Sequence, residues 1–113
     1  MKVRVRLHES AKRSWQRWIG SLSPNDGDRR RFAELYYGEI KRLLIEHEGV
    51  PPGATRTRAG NPEQYVWEFQ QNFVWIRYWR KTIDGPLRRL TRTMRIDILI
   101  EEFMDPETSR STR

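Results

Sequence analysis

The alternation of apolar and polar side chains between Tyr65 and Ile100 constrains the fold more than any other feature of the chain. Side chains that recur at every second position follow the period of a pleated strand and not that of a helix. The polar residues 70–72 have the composition of a tight turn between two such runs. We therefore predict a hairpin and a third strand, with one buried face in the last strand. The apolar series are Tyr65, Trp67 and Phe69, then residues 73–79, then Met94, Ile96, Ile98 and Ile100.

The first residues of the chain also alternate, here between valine or leucine and lysine or arginine. This pattern is typical of a strand in a sheet that is covered on one face only. We predict a strand over 2–7 that places Val3, Val5 and Leu7 inward and turns a cationic face, formed by Lys2, Arg4 and Arg6, outward.

Two helices are predicted between the first strand and the hairpin. The first begins after a capping residue, His8 or Ser10, and its apolar stripe is Trp15, Trp18, Ile19 and Leu22. A turn over 23–28 follows, and Asp28 is predicted to cap the second helix, whose buried side we expect to be Phe32, Leu35, Tyr36, Ile40, Leu43 and Leu44. Gly49 and the two prolines after Val50 predict its end.

The lengths and composition predict one domain over 1–104 and a flexible tail over 105–113, which lacks apolar residues after Asp105. Residues 51–62 are too polar to be core, and we interpret them as an extended connection. The predicted fold is α+β, in the order β-α-α-β-β-β, with an antiparallel-rich sheet packed by a two-helix hairpin.

The net charge of +7 is unevenly distributed along the chain. Residues 1–22 carry six basic and one acidic side chain, and residues 52–95 carry nine and three. A field of this sign attracts polyanions, nucleic acid first, although an acidic protein would satisfy it equally well.

Cysteine is absent, and neither Glu46 with Glu48 nor Glu101 with Glu102 has a spacing typical of metal ligands. No metal site and no small-molecule cofactor are predicted. The N-terminus lacks the apolar run of a signal peptide, and no stretch approaches the length of a membrane span. We therefore expect a soluble, cytoplasmic protein without a membrane partner.

A cluster of arginines near the predicted last strand is the strongest candidate for nucleic-acid contact, because the planar guanidinium group suits phosphate. The alternative is an edge strand that its charges keep from aggregating. Tryptophans at 67, 75 and 79 between basic residues suit either stacking on bases or packing in a core. The predicted nucleic-acid-binding residues are Arg56, Arg58, Arg77, Arg80, Lys81, Arg88, Arg89, Arg92 and Arg95.

The order of these elements, together with the opening residues 3–11, the segment 50–53 and the hairpin 65–78, resembles the RelE/ParE toxin superfamily. The resemblance implies a toxin that acts on ribosome-bound messenger RNA, with a cognate acidic antitoxin and the ribosome or RNA as partners. It also implies alternatives: a non-enzymatic inhibitor of the ParE type, which targets DNA gyrase, or a basic nucleic-acid-binding accessory protein.

The resemblance further implies that Arg58 and Arg77 are the candidate catalytic residues of a ribosome-dependent endoribonuclease. The catalytic pattern that the resemblance implies is incomplete in this chain. Val74 stands where an arginine is usual, and Glu101-Glu102-Phe103 follows the last strand in place of a basic residue and a tyrosine. These departures leave enzymatic activity open.

Overall fold

The computed structural model describes residues 2–22, 24–71, 73–83 and 95–105. Predictions for Arg88, Arg89, Arg92 and Met94, and for the tail from 106 onward, lie outside these residues. The described chain is α+β, as predicted. Its elements are β1 (Lys2–Leu7), α1 (Glu9–Ser21), a short 3-10 helix (Pro24–Asp26), α2 (Gly27–Glu46), β2 (Ala54–Arg58), β3 (Glu63–Phe69), β4 (Val74–Ile83) and β5 (Arg95–Met104).

The strands form one sheet in the order β1-β5-β4-β3-β2. Three of its four pairings are antiparallel, and the fourth joins β1 to β5 in parallel, with Val3 opposite Ile96 and Leu7 opposite Ile100. The first strand of the chain therefore lies beside the last. This places the cationic side of β1 next to the side chains of β5.

Strand β2 corrects the sequence analysis, which treated the whole of 51–62 as a connection. It pairs with β3 at the edge of the sheet, with Ala54 opposite Trp67 and Arg56 opposite Tyr65. Four of its five side chains are exposed. An exposed edge strand is held by its backbone hydrogen bonds, so its sequence need not alternate.

Helix α1 lies against β5 through small residues. Ala11 and Ser14 are buried on the contact side, and the Ser14 hydroxyl accepts a hydrogen bond from the Phe103 amide at 2.9 Å. His8 is the N-cap, because its Nδ1 accepts from the Ser10 amide at 3.1 Å. The Ser10 hydroxyl instead donates to the Glu101 carbonyl at 2.8 Å, which ties the helix to the sheet a second time.

Helix α2 differs from its prediction in two respects. Its N-cap is Asp26 and not Asp28. Its buried residues are Ala33, Ile40 and Leu44, whereas two residues of the predicted buried side, Phe32 and Leu35, are 47% and 67% exposed. The apolar stripe is wider than the contact with the sheet, so part of it faces away from the core.

The core lies between the helices and one face of the sheet, which we call the helix face. The isoleucines at 96, 98 and 100 are fully buried there, as predicted. Trp67 is also core, and its Nε1 donates to the Pro52 carbonyl at 3.1 Å. Trp67 therefore packs, while Trp75 and Trp79 alternate with the buried Ile76 and Tyr78 and project from the opposite side of β4.

Candidate nucleic-acid interface

The sheet face opposite the helices, the outer face, carries the candidate site. Strand register fixes which of its residues are neighbours. Arg4 lies opposite Asp97, which lies opposite Lys81, and Lys2 lies opposite Arg95. Neighbouring strands are about 4.8 Å apart, so these side chains form one continuous surface.

One register position crosses the whole outer face, and we call it the cross-sheet row. Arg6 lies opposite Leu99, Leu99 opposite Trp79, Trp79 opposite Gln64, and Gln64 opposite Arg58. The row therefore has an arginine at each end and an apolar centre. Four strand spacings separate its ends, a distance of about 19 Å.

Five exposed cations surround the β1 end of this row, namely Lys2, Arg4, Arg6, Lys81 and Arg95. Among the contacts of the described residues, the one ion pair that any of these five cations makes is between Arg95 Nε and Asp97 Oδ1, at 3.3 Å. The positive charge of this part of the outer face is consequently open to an external anion.

A cleft of about 390 Å³ lies within the same region. Trp79 and Leu99 belong to its apolar lining, and Arg6 and Lys81 are its cations. The Trp79 Nε1 donates to Glu101 Oε2 at 2.9 Å, which fixes the indole ring in place. An aromatic wall between cations is an arrangement that accepts a base and its phosphates.

Asp97 also lines this cleft and is its acidic group. Its side chain is 14% exposed, and Oδ1 is buried without a hydrogen bond although the Arg95 guanidinium is close. This carboxylate therefore offsets part of the positive charge beside the cleft through its ion pair with Arg95. The cleft thus combines cations, an apolar wall and one carboxylate that Arg95 pairs.

Arg77, one of the two candidate catalytic residues, lies on the outer face beside this region but is engaged by carboxylates. Its Nε is 3.3 Å from Glu101 Oε2, and its Nη2 is 3.2 Å from Glu102 Oε1. These are the acidic residues that stand where the resemblance calls for a basic residue. A phosphate would have to compete with both of them for Arg77.

Arg58, the other candidate catalytic residue, is exposed at the far end of the cross-sheet row. It therefore shares a surface with Trp79 and Arg6. Arg77 lies two strands away from Arg58 and is displaced from the cross-sheet row by two residues along β4. Arg58 and Arg77 therefore share the outer face but are not adjacent on it.

Two other predicted residues lie elsewhere. Arg80 is on the helix face, where its Nε donates to the Glu48 carbonyl at 2.8 Å and its Nη1 is 3.1 Å from Glu63 Oε1. Arg56 reaches the other oxygen of Glu63 at 3.2 Å. Arg56, Arg58, Arg77 and Arg80 were all predicted to bind nucleic acid, but the structure divides them between the two faces.

His8, Tyr78 and His47 have side chains that could act as acid or base, but none of them lines the cleft beside Trp79. His8 caps α1, and Tyr78 is buried on the helix face, where its hydroxyl donates to the Gly49 carbonyl at 2.6 Å. Burial raises the pKa of Tyr78 far above its ordinary value. His47 lines a second cleft, of about 490 Å³, between the end of α2 and β3. Glu101 is the carboxylate that the Trp79 indole contacts.

Sequence reasoning missed three contributors to this surface, Lys2, Arg4 and Arg6. The sequence did contain a signal for them, because their alternation predicted a cationic outer face on the first strand. Their relation to the other cations depends on the parallel pairing of β1 with β5, across more than 90 residues of chain. Asp97 was also missed, since a single aspartate in a strand has no local signature.

Within the described part of the chain, no group of three or more histidine, cysteine or acidic residues is arranged to hold a metal ion. No helix in these ranges is long and apolar enough to cross a membrane. Comparison of the chain with models of known protein families, with curated proteins and with solved structures found no match.

Proposed function

We propose that this protein binds single-stranded RNA along its outer face and acts on translation by occupying that RNA, as a toxin-like component resembling the RelE/ParE superfamily. The observation that carries the proposal is the cross-sheet row, which has arginines at its ends and Trp79 and Leu99 between them. A cognate acidic antitoxin belongs to the same proposal.

The distribution of charge supports a nucleic acid over an acidic protein. Exposed cations at both ends of a row of about 19 Å match a ligand whose charge repeats along its length. The apolar wall between them suits an unstacked base, which an acidic peptide lacks. Single strands present such bases, whereas the bases of an RNA duplex are stacked within it.

The surroundings of the candidate catalytic residues support binding without cleavage. Cleavage requires a base for the ribose hydroxyl, a cation for the phosphate and an acid for the leaving oxygen. Arg77 is offset by two carboxylates, and Tyr78 and His8 are directed elsewhere. We therefore favour inhibition by occupancy.

Ribosome-dependent cleavage is the second candidate, and one contact favours it. Glu101 Oε2 lies 3.3 Å from Arg77 Nε and 2.9 Å from Trp79 Nε1. In a complex with a base stacked on Trp79, Glu101 would be placed to accept a proton from the ribose hydroxyl while Arg77 contacts the phosphate.

Cell-free translation separates these possibilities. We expect the added parent protein to reduce synthesis and to leave the messenger RNA intact in a primer-extension map. Codon-phased cuts that disappear in Glu101→Gln and Arg77→Ala would establish cleavage instead.

The proposed preference for single-stranded RNA is tested separately, by fluorescence anisotropy with single-stranded and duplex RNA of matched sequence. We expect tighter binding of the single strand at every salt concentration. Equal affinity for both forms, or no RNA binding, would refute the proposed mode.

A further inference from the structure

Strand β1 forms one edge of the sheet, and among the described strands only β5 pairs with it. The His8 amide, directly after β1, donates to the Ile100 carbonyl at 2.9 Å and so points toward β5. Backbone groups of successive strand residues point alternately to the two sides of a strand. The even-numbered residues of β1 therefore bond to β5. The odd-numbered ones, Val3, Val5 and Leu7, direct their amides and carbonyls out of the sheet.

We propose that this edge binds an extended peptide in which apolar and acidic residues alternate, as an added strand antiparallel to β1. In this mode of recognition, main-chain hydrogen bonds provide affinity and the alternate side chains provide specificity. The peptide residues opposite Val3, Val5 and Leu7 exchange backbone hydrogen bonds with them and lie on the helix face. The residues between them lie on the outer face.

The helix face of β1 requires apolar residues in the peptide. Val3, Val5 and Leu7 pack against the core but are only half-buried. By contrast, Ile98, which lies opposite Val5 on the neighbouring strand, is fully buried. The apolar layer thus continues to the edge of the sheet, where the described chain leaves it partly open. Apolar side chains on an added strand would remove this surface from water.

The outer face of β1 requires acidic residues in the peptide. Its side chains, Lys2, Arg4 and Arg6, are all exposed, and none of the ion pairs between described residues includes them. Peptide residues opposite these cations occupy non-hydrogen-bonded positions, where the Cα atoms are about 4.5 Å apart and side chains are closest. Opposite charges attract across such a pair and like charges repel.

Two other occupants fit this edge less well. Antiparallel pairing of β1 with β1 of a second copy would place cations opposite cations on the outer face. An RNA on the outer face would contact the same cations but would leave the outward amides and the valine side chains uncovered. The alternating acidic peptide satisfies the backbone, the apolar side chains and the charges together.

The other edge of the sheet provides a comparison within the same molecule. Strand β2 also lies at an edge, but four of its five side chains are exposed threonines and arginines, and Ala54 is its one apolar residue. Arg56 is already within 3.2 Å of Glu63. This edge lacks the apolar row of β1, so we expect the peptide at β1 and not at β2.

A peptide of alternating valine and glutamate, about eight residues long, tests the inference, because it can span the six residues of β1. We expect fluorescence anisotropy to give a dissociation constant of about 10–100 µM. One control peptide has the same composition with its glutamates grouped at one end. In a second, the valine amides that face β1 are N-methylated, which removes their hydrogen bonds and retains the charge. Each control should bind at least about tenfold more weakly.

Charge-reversed proteins test the contacts on the outer face. The double substitution Lys2→Glu and Arg6→Glu places like charges opposite the peptide and should weaken binding at least about tenfold. The double substitution Arg13→Glu and Arg17→Glu changes the net charge equally at exposed positions of α1 and should leave binding unchanged. Circular dichroism of both proteins establishes that they are folded.

Amide hydrogen exchange locates the peptide. Binding should slow exchange at Val3, Val5 and Leu7, whereas the amides of Arg4 and Arg6 already bond to β5 and should change little. Absence of binding, equal binding of the N-methylated or grouped peptide, or protection at β2 in place of β1 would each overturn the proposal. These readouts need no RNA, so the inference stands or fails independently of the proposed function.

Discussion

Trp79 is the residue through which the outer face is best placed to contact a base. Its ring is held by the bond to Glu101 and lines the cleft beside Arg6 and Lys81. Sequence alone did not separate this tryptophan from Trp67, because each lies in a strand rich in aromatic residues. The difference is the face of the sheet, which is decided by where the helices pack.

We expect Trp79→Ala to weaken single-stranded RNA binding by about 10- to 100-fold, since stacking on one base contributes about 1–3 kcal/mol. The matched control is Trp75→Ala, on the same face but four residues away along β4, opposite Glu68 and Met104. Anisotropy at constant salt measures both. If the two substitutions weaken binding equally, Trp79 has no special role in base contact.

Tyr78 is a buried phenol whose titration affects stability. Its pKa is raised chiefly by burial, so the folded chain retains the phenol proton to higher pH than the unfolded chain does. The resulting stabilisation is complete below the ordinary tyrosine pKa of about 10 and is lost as the pH rises above it.

Tyr78→Phe should therefore lower the free energy of unfolding by about 1 kcal/mol at neutral pH, because the bond to the Gly49 carbonyl is lost. It should also make the decline in stability above about pH 10 shallower. Tyr65, whose pKa burial also raises, remains and keeps some of the decline. Denaturant unfolding across this pH range provides the measurement, and an unchanged slope would contradict this account.

At the scale of elements, the sequence predicted the strands and helices in which the pattern of apolar residues indicates which side chains are buried. Strands β1, β3 and β5 alternate, β4 is rich in β-branched and aromatic residues, and both helices carry apolar stripes, so all six were found. Strand β2 was not, because exposed threonine and arginine carry no pattern. The parallel contact of β1 with β5 was also beyond local reasoning, since it joins the two ends of the domain.

The buried face of β5 gives the element-scale prediction. Ile98 is fully buried opposite Val5 of β1, so Ile98→Asp should destabilise the chain by several kcal/mol. Thr55→Asp, at an exposed position of the edge strand β2, should change the free energy of unfolding by about 0.5 kcal/mol or less. Equal thermal melts of the two variants would be incompatible with the observed sheet.

At the scale of the whole molecule, the two surfaces of the domain differ in composition. The helix face is covered by α1 and α2, whereas the outer face gathers cations from β1, β2, β4 and β5. No single segment contains them, so sequence reasoning identified the basic character of the chain but only part of the surface.

Binding of RNA to this surface is most directly tested by its salt dependence. Each phosphate contact in a single strand contributes about 0.7 to the slope of log K against log salt. We expect the double substitution Arg4→Ala and Arg6→Ala to reduce the slope by about 1.4 relative to the parent. The double substitution Arg13→Ala and Arg17→Ala removes the same charge from exposed positions of α1 and should leave the slope unchanged. Equal slopes for the parent and the Arg4/Arg6 variant, or equal losses in the two variants, would contradict binding at the outer face.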